Sequence, residues 1–141
     1  MISAFAVREG VLGPVPDLGY GTLPADALWV DLLAPTAEEE AAVERLLGVG
    51  VPTRAEMAEI EESARLYEER GALVLTVVVV NGVSKRRPGT AEVTFVLTPK
   101  TLATIRYADP LPFHTRRPPH RRRHRRRARG GRRSRPRRRR G

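Results

Sequence analysis

Two runs of apolar and β-branched residues, LVLTVVVV (residues 73–80) and VTFVLTPKTLATIRY (residues 93–107), decide the fold of this chain. The first run is apolar without alternation apart from Thr76, a pattern that predicts a strand buried on both faces. The second run predicts two strands that fold back at Pro99-Lys100, because apolar side chains recur at every second position before that turn. We therefore expect a central sheet in this part of the chain.

Shorter apolar runs predict further strands at residues 1–7 and 27–33, and residues 65–70 predict a strand that pairs with the first long run. The glycines and prolines of residues 10–24 predict a surface connection. A phosphate-binding loop is the alternative, but no Lys-Ser or Lys-Thr follows these glycines. Asp31 is either a functional carboxylate or, as we favour, a strand-end side chain that points to water or caps a turn.

Two helices are predicted by a repeated local signal, a Pro-Thr pair followed by a glutamate three residues after the threonine. Thr36 can accept a hydrogen bond from the Glu39 amide while the Glu39 side chain returns to the Thr36 amide, which is a capping box. Thr53 and Glu56 repeat the arrangement. The helices are expected at residues 37–47 and from residue 53 through about residue 62. Together with the strands they predict a mixed α/β sheet with helices packed on it.

Charge divides the chain into two parts, an α/β domain in residues 1–113 and a tail in residues 114–141. The first part holds 10 Lys and Arg and 16 acidic residues, a net charge of 10 − 16 = −6, and the tail holds 16 Arg and no acid, so that the two sum to +10. The tail has no apolar residue larger than alanine, so we expect it to be disordered. The chain has no cysteine, which removes disulfides and thiol chemistry.

Residues 1–113 contain no recognisable set of catalytic residues, and we expect no enzyme activity. The three histidines, His114, His120 and His124, all lie in the tail, so the folded part has no histidine general base. No serine has a G-x-S-x-G context. The glutamates of the second helix can either bind a hard divalent cation or form a solvated face, and we favour the solvated face.

Three segments together resemble the N-terminal cytosolic domain of CorA-type magnesium and cobalt transporters. They are WVDLLAPTAEEE (residues 29–40), GVPTRAEMAEIEESARLYEERGALVLT (residues 50–76) and VTFVLTPKTLATIRYADPLPF (residues 93–113). The most specific parts are P-T-R-x-E-M-x-E-I-E-x-S-x-R-L-Y and the closing T-x-R-Y-x-D-P-x-P-F. The resemblance implies an α/β domain on the cytoplasmic side of the inner membrane and a homopentameric transporter.

For metal ions, the resemblance implies magnesium as the transported or regulatory ion of an intact family member, and no other cofactor. Carboxylates at cytosolic subunit interfaces sense divalent ions in this family. Glu56 and Glu59 lie in the comparable helix and are the candidate metal residues of this chain.

The chain departs from the family pattern after Phe113. The family continues into a long helix and two transmembrane helices with a Gly-Met-Asn motif, and this sequence contains neither that motif nor a run of about 18–20 apolar residues. We therefore expect a truncated, cytoplasmic fragment that does not conduct ions by itself.

Two interpretations of the tail remain open. Its arginines can form a sequence-indifferent nucleic-acid-binding arm, since they would neutralise several phosphates. Alternatively, residues 114–141 are translated from a shifted reading frame, which we favour because the family-like sequence stops abruptly at Phe113 and Arg, Pro, Gly and Ala have GC-rich codons.

Overall fold

The computed structural model describes residues 1–16, 18, 22–61, 65–82 and 88–114 of the chain. The described residues form seven strands and three helices. The strands are β1 (Ile2–Arg8), β2 (Val11–Pro14), β3 (Trp29–Leu33), β4 (Leu66–Glu69), β5 (Ala72–Asn81), β6 (Gly89–Leu97) and β7 (Leu102–Arg106). The helices are α1 (Ala37–Leu47), α2 (Arg54–Glu59) and α3 (Leu111–His114).

All seven strands belong to one mixed sheet with the order β2-β1-β3-β7-β6-β5-β4. The central pair, β3 and β7, is parallel, and every other neighbouring pair is antiparallel. A parallel pair needs a long crossover, which here contains α1, α2 and the meander of β4 to β6. The mixed sheet confirms the predicted α/β fold class.

The helices α1 and α2 cover one face of this sheet, which we call the helix face. Val43 of α1 and Met57 of α2 are buried in the same cluster as apolar side chains of five strands. Burial of each such side chain contributes roughly 1.5–3 kcal/mol. The strand residues of this cluster are Ala4, Val30, Leu32, Ala72, Val74, Val96, Ala103 and Ile105. The core therefore lies between the helices and the middle of the sheet.

Both helices begin as the sequence predicts. Thr36 accepts a hydrogen bond from the Glu39 amide and Thr53 accepts one from the Glu56 amide, and in both boxes the glutamate side chain accepts from the threonine amide. The helix α1 ends at Leu47 and is followed by the capping residue Gly48, whose φ of 76° favours glycine. The second helix is shorter than expected, because α2 ends at Glu59.

The prediction that the first long run is buried on both faces is wrong. Side chains of β5 on the helix face, such as Val74 and Thr76, are buried, but Leu73 on the opposite face is 43% exposed. Val78 and Val80, which lie on the helix face towards the end of the strand, are also exposed. The two helices that cover the sheet both lie on the helix face, and a continuous apolar run does not reveal whether a second covering layer exists.

A strand that the sequence did not predict lies in the segment assigned to a surface connection. β2 pairs with β1 through a two-residue turn at Glu9-Gly10, where both residues have positive φ values of 53° and 76°. Such a turn matches the twist of a hairpin. Among the described ranges, no helix is long and apolar enough to cross a membrane.

Candidate functional site

A buried ion pair joins the two parallel strands at the centre of the sheet. Asp31 on β3 and Arg106 on β7 project from the face opposite α1 and α2, with side chains that are 12% and 5% exposed. The guanidinium donates from Nε to Asp31 Oδ1 at 3.1 Å and from Nη2 to Asp31 Oδ2 at 2.8 Å. This two-point contact is the strong form of a carboxylate–guanidinium pair.

Neighbouring groups complete the hydrogen bonding of this pair. Trp29 Nε1 donates to Thr104 Oγ1 at 3.2 Å, and the Thr104 hydroxyl donates to Asp31 Oδ1 at 2.6 Å. Arg106 Nη1 donates to the Ala108 carbonyl and to Asp109 Oδ1. Burial is the largest single effect and lowers the pKa of Arg106, but the hydrogen bonds and negative charges of Asp31 and Asp109 together outweigh it and raise that pKa above its ordinary value. The network therefore holds two compensating charges between neighbouring strands.

Two aromatic contacts extend this network in opposite directions across the sheet. The Phe113 ring of α3 lies over the guanidinium of Arg106, with 4.4 Å between Cζ and the ring centroid. On the other side, Phe5 of β1 stacks on Trp29 at a centroid distance of 4.4 Å. The expectation that Asp31 points to water or caps a turn is therefore wrong, because its carboxylate is occupied by Arg106 and Thr104.

A cavity of about 230 Å³ lies between α2 and the sheet. Its lining includes Arg54, Met57, Glu92 and Tyr107. The Tyr107 hydroxyl donates to Glu40 Oε1 at 2.9 Å, and the Arg54 guanidinium lies 5.8 Å from the centroid of the Tyr107 ring. Burial, with the added effect of the Glu40 carboxylate, raises the pKa of Tyr107 to about 12. The phenol is therefore neutral at physiological pH and acts as a hydrogen-bond donor.

This cavity is also where the two most specific sequence segments meet. Arg54 belongs to the P-T-R-x-E-M segment, whereas Tyr107 belongs to the closing T-x-R-Y segment. Their contact connects α2 to the end of β7. The sequence does not predict this contact, because 53 positions separate the two residues and the local pattern around one residue gives no information about the other.

The structure gives the two candidate metal residues different surroundings. Glu56 Oε2 accepts hydrogen bonds from the Thr53 amide at 2.7 Å and from its hydroxyl at 2.9 Å. The amide contact lowers the pKa of Glu56. Glu59 is the last residue of α2 and is exposed.

No third ligand joins these two glutamates in the part of the chain that the structure describes, because no group of three or more His, Cys, Asp or Glu residues there could hold a metal ion. The metal role of Glu56 and Glu59 stays a prediction. The three histidines give no further information, since the side chain of His114 and all of His120 and His124 lie outside the described residues.

No family model matches the chain, but curated relatives do. The magnesium transport protein CorA of Sodalis glossinidius is 33% identical over 106 residues, which cover 75% of this chain and 33% of that protein. The magnesium transport protein CorA of Wolinella succinogenes is 29% identical over 115 residues, covering 77% of this chain and 36% of the relative. The α/β domain of this chain belongs to the CorA family. The chain spans about a third of the length of these CorA relatives.

Solved CorA structures have the same fold as the described residues. The complete CorA magnesium transporter of Methanocaldococcus jannaschii aligns with a TM-score of 0.51 and 17% identity, over 77% of this chain and 32% of the transporter. The soluble domain of that CorA aligns with a TM-score of 0.50 and 15% identity, over 77% of this chain and 41% of the domain. The mixed sheet with its helices is therefore the fold of the CorA soluble domain.

We predict that removing the Asp31 carboxylate lowers the free energy of unfolding much more than removing the Asp109 carboxylate, although both contact Arg106. Asp31→Ala leaves a buried guanidinium without its main partner and should lower the free energy of unfolding by about 3–5 kcal/mol. Asp109 is 48% exposed, so Asp109→Ala should cost about 1 kcal/mol or less. Urea unfolding of the two variants checks this difference. A loss of about 1 kcal/mol or less for Asp31→Ala would show that the Asp31 pair does not stabilise the sheet.

We also predict that Glu56 stabilises α2 independently of metal ions. Glu56→Ala removes half of the capping box and should lower the free energy of unfolding by about 1 kcal/mol. The matched variant Glu59→Ala should change it by less than about 0.5 kcal/mol. Thermal unfolding with and without magnesium chloride should give the same difference between each variant and the wild type. A magnesium-dependent stabilisation that both variants lose would instead reveal an ion site within one chain.

Proposed function

We propose that residues 1–113 form the cytosolic regulatory domain of a CorA-type magnesium and cobalt transporter subunit. The observation that carries this proposal is the 33% identity over 106 residues with the magnesium transport protein CorA of Sodalis glossinidius. The agreement in fold with the soluble domain of a CorA supports the same function. In this proposal the domain lies on the cytoplasmic side of the inner membrane, within a homopentamer.

The 141-residue chain itself is proposed not to transport ions alone. It spans about a third of the length of its curated relatives, and its sequence holds neither a Gly-Met-Asn triplet nor an apolar run long enough to span a bilayer. A conducting path through lipid needs helices or a closed barrel whose backbone polar groups are satisfied internally. Permeation would therefore depend on segments that this sequence does not contain.

The geometry of α2 supports an ion-sensing role only in the assembled transporter. Glu56 is occupied by its capping box, and Glu59 is exposed at the end of the helix. A magnesium ion prefers six oxygen ligands, including several waters. Because Glu56 is already engaged by Thr53 and no third ligand lies beside these glutamates among the described residues, we propose that a neighbouring subunit supplies further oxygen ligands.

Nucleic-acid binding by the arginine-rich tail is the second function expected from the sequence. It depends on residues 114–141, and apart from the backbone of His114 these lie outside the described residues. The similarity to CorA proteins gives it no support, so it stays a prediction from composition.

A chimera tests the proposed function. The residues of the Salmonella typhimurium magnesium transport protein CorA that align with this chain, which share 33% identity with it over 106 residues, are replaced by the corresponding residues of this chain. In a strain that lacks magnesium uptake, we expect the chimera to restore growth at low magnesium and the 141-residue chain alone to give no growth.

Two control variants of the chimera show whether its growth depends on a folded domain. The same chimera with Asp31→Ala should lose growth because its domain unfolds, whereas the one with Asp109→Ala should keep it. If the chimera reaches the membrane in normal amount and still fails to take up magnesium, the domain does not replace that of a transporter. Growth supported by the 141-residue chain alone would contradict the proposal that this chain does not transport.

A further inference from the structure

The short helix α2 depends on the rest of the domain for its position. It has six residues, and an isolated helix of this length is not stable in water. Met57 is buried, whereas the other residues of α2 are exposed. The cavity of about 230 Å³ beside Met57 also leaves the packing between α2 and the sheet incomplete. Because a segment with few buried apolar contacts opens before the rest of a domain unfolds, the further contacts of α2 determine how firmly it is held.

Tyr107, which directly follows β7, contacts the first residue of α2. The Arg54 guanidinium lies 5.8 Å from the centroid of the Tyr107 ring, a distance at which a cation is attracted to an aromatic face. The Tyr107 hydroxyl donates to Glu40 Oε1 at 2.9 Å. Because Glu40 lies in the first turn of α1, one side chain connects the end of β7 with the beginnings of both helices.

The hydrogen bond to Glu40 fixes the orientation of the Tyr107 ring. Burial, with the added effect of Glu40, raises the pKa of Tyr107 to about 12, so the hydroxyl keeps its proton and donates over the physiological pH range. A hydrogen bond to an ionised acceptor is stronger than one between neutral groups. The ring fixed in this way has the Arg54 guanidinium over its face. The contact with α2 therefore depends on the Glu40 carboxylate as well as on the ring.

We propose that Tyr107 is a positioning residue for ion sensing by α2. This role rests on the proposed function, in which carboxylates of α2 bind magnesium together with oxygen ligands of a neighbouring subunit. Glu56 and Glu59 both lie on α2, so a contact at Arg54, within the same six residues, sets where the two carboxylates are presented. A binding arrangement that is populated for only a fraction of the time binds its ion more weakly by that fraction. Loss of the Tyr107 contact therefore weakens ion sensing without removing a ligand.

Magnesium uptake by the Salmonella typhimurium chimera tests this role. Initial rates are measured in membrane vesicles at stepped magnesium concentrations on the cytoplasmic side, and the midpoint is the concentration that gives half of the magnesium-dependent change in rate. Tyr107→Phe keeps the ring but removes the donor to Glu40, so the midpoint should rise about threefold to tenfold while the maximal rate stays unchanged. Glu40→Ala removes the acceptor and should give the same shift. Because both changes break one hydrogen bond, combining them should add nothing further.

Two matched variants separate the hydrogen bond from a change in charge. Glu40→Gln keeps an oxygen that accepts the hydrogen bond, so its midpoint should lie closer to that of the wild type than the midpoint of Glu40→Ala. Glu38→Ala removes an exposed carboxylate from the same turn of α1 and should leave the midpoint unchanged. In the full 141-residue chain, amide hydrogen exchange at residues 57–59 should be at least about threefold faster in Tyr107→Phe, with the exchange of the β5 and β6 amides unchanged.

Failure of this role is distinguishable from failure of the proposed function. A wild-type chimera that reaches the membrane and takes up no magnesium contradicts the proposed function, and hydrogen exchange in the chain then decides whether Tyr107 holds α2. Uptake that does not depend on cytoplasmic magnesium overturns the sensing role, as does a midpoint or an α2 exchange rate that Tyr107→Phe leaves unchanged. A fall in the maximal rate at an unchanged midpoint also overturns it, because Tyr107 then only stabilises the fold. An equal shift in Glu38→Ala overturns it by assigning the effect to charge.

Discussion

The ion pair between Asp31 and Arg106 is the interaction on which the organisation of the sheet depends. A buried charge is tolerated only when a partner of opposite sign and further hydrogen bonds replace the water that it has lost. Here the partner comes from the adjacent parallel strand, and Thr104, Ala108 and Asp109 supply the remaining contacts. Because β3 and β7 are separated in sequence by the entire crossover, this pair links strands that are distant along the chain. It bridges the only parallel pair among the described strands.

The same arrangement brings together the three segments that resemble the CorA family in sequence. The segment that begins with Trp29 supplies Asp31, and the closing segment supplies Thr104, Arg106 and Asp109. The middle segment supplies α2, whose Arg54 lies near the Tyr107 ring. All three segments thus converge on β7 and its immediate continuation. The segments that resemble CorA proteins in sequence thus supply residues that hold the sheet and place α2 on it.

Local physical chemistry in the sequence was sufficient to predict much of this fold. The capping boxes at Thr36 and Thr53, the strand pair around Pro99-Lys100 and the α/β class follow from short-range patterns, and the structure confirms them. The partner of Asp31 could not be predicted, because an ion pair across 75 positions leaves no local signal. One clue existed, namely a carboxylate and a guanidinium placed within otherwise apolar strands, where isolated charges are costly. The exposure of Leu73 could not be predicted either. A continuous apolar run shows that a strand is hydrophobic, but whether a second layer covers its other face depends on the rest of the structure.

Amide hydrogen exchange, measured by NMR on the full chain, tests the central role of the β3–β7 pair most directly. The competing possibility is that β5 and β6, which share the longest ladder, form the most stable unit by themselves. If the ion pair organises the sheet, the amides of Val30, Leu32, Ala103 and Ile105 should exchange only through global unfolding, as slowly as the slowest amides of β5 and β6. Exchange of the β3 and β7 amides well before those of the β5–β6 hairpin would contradict this account.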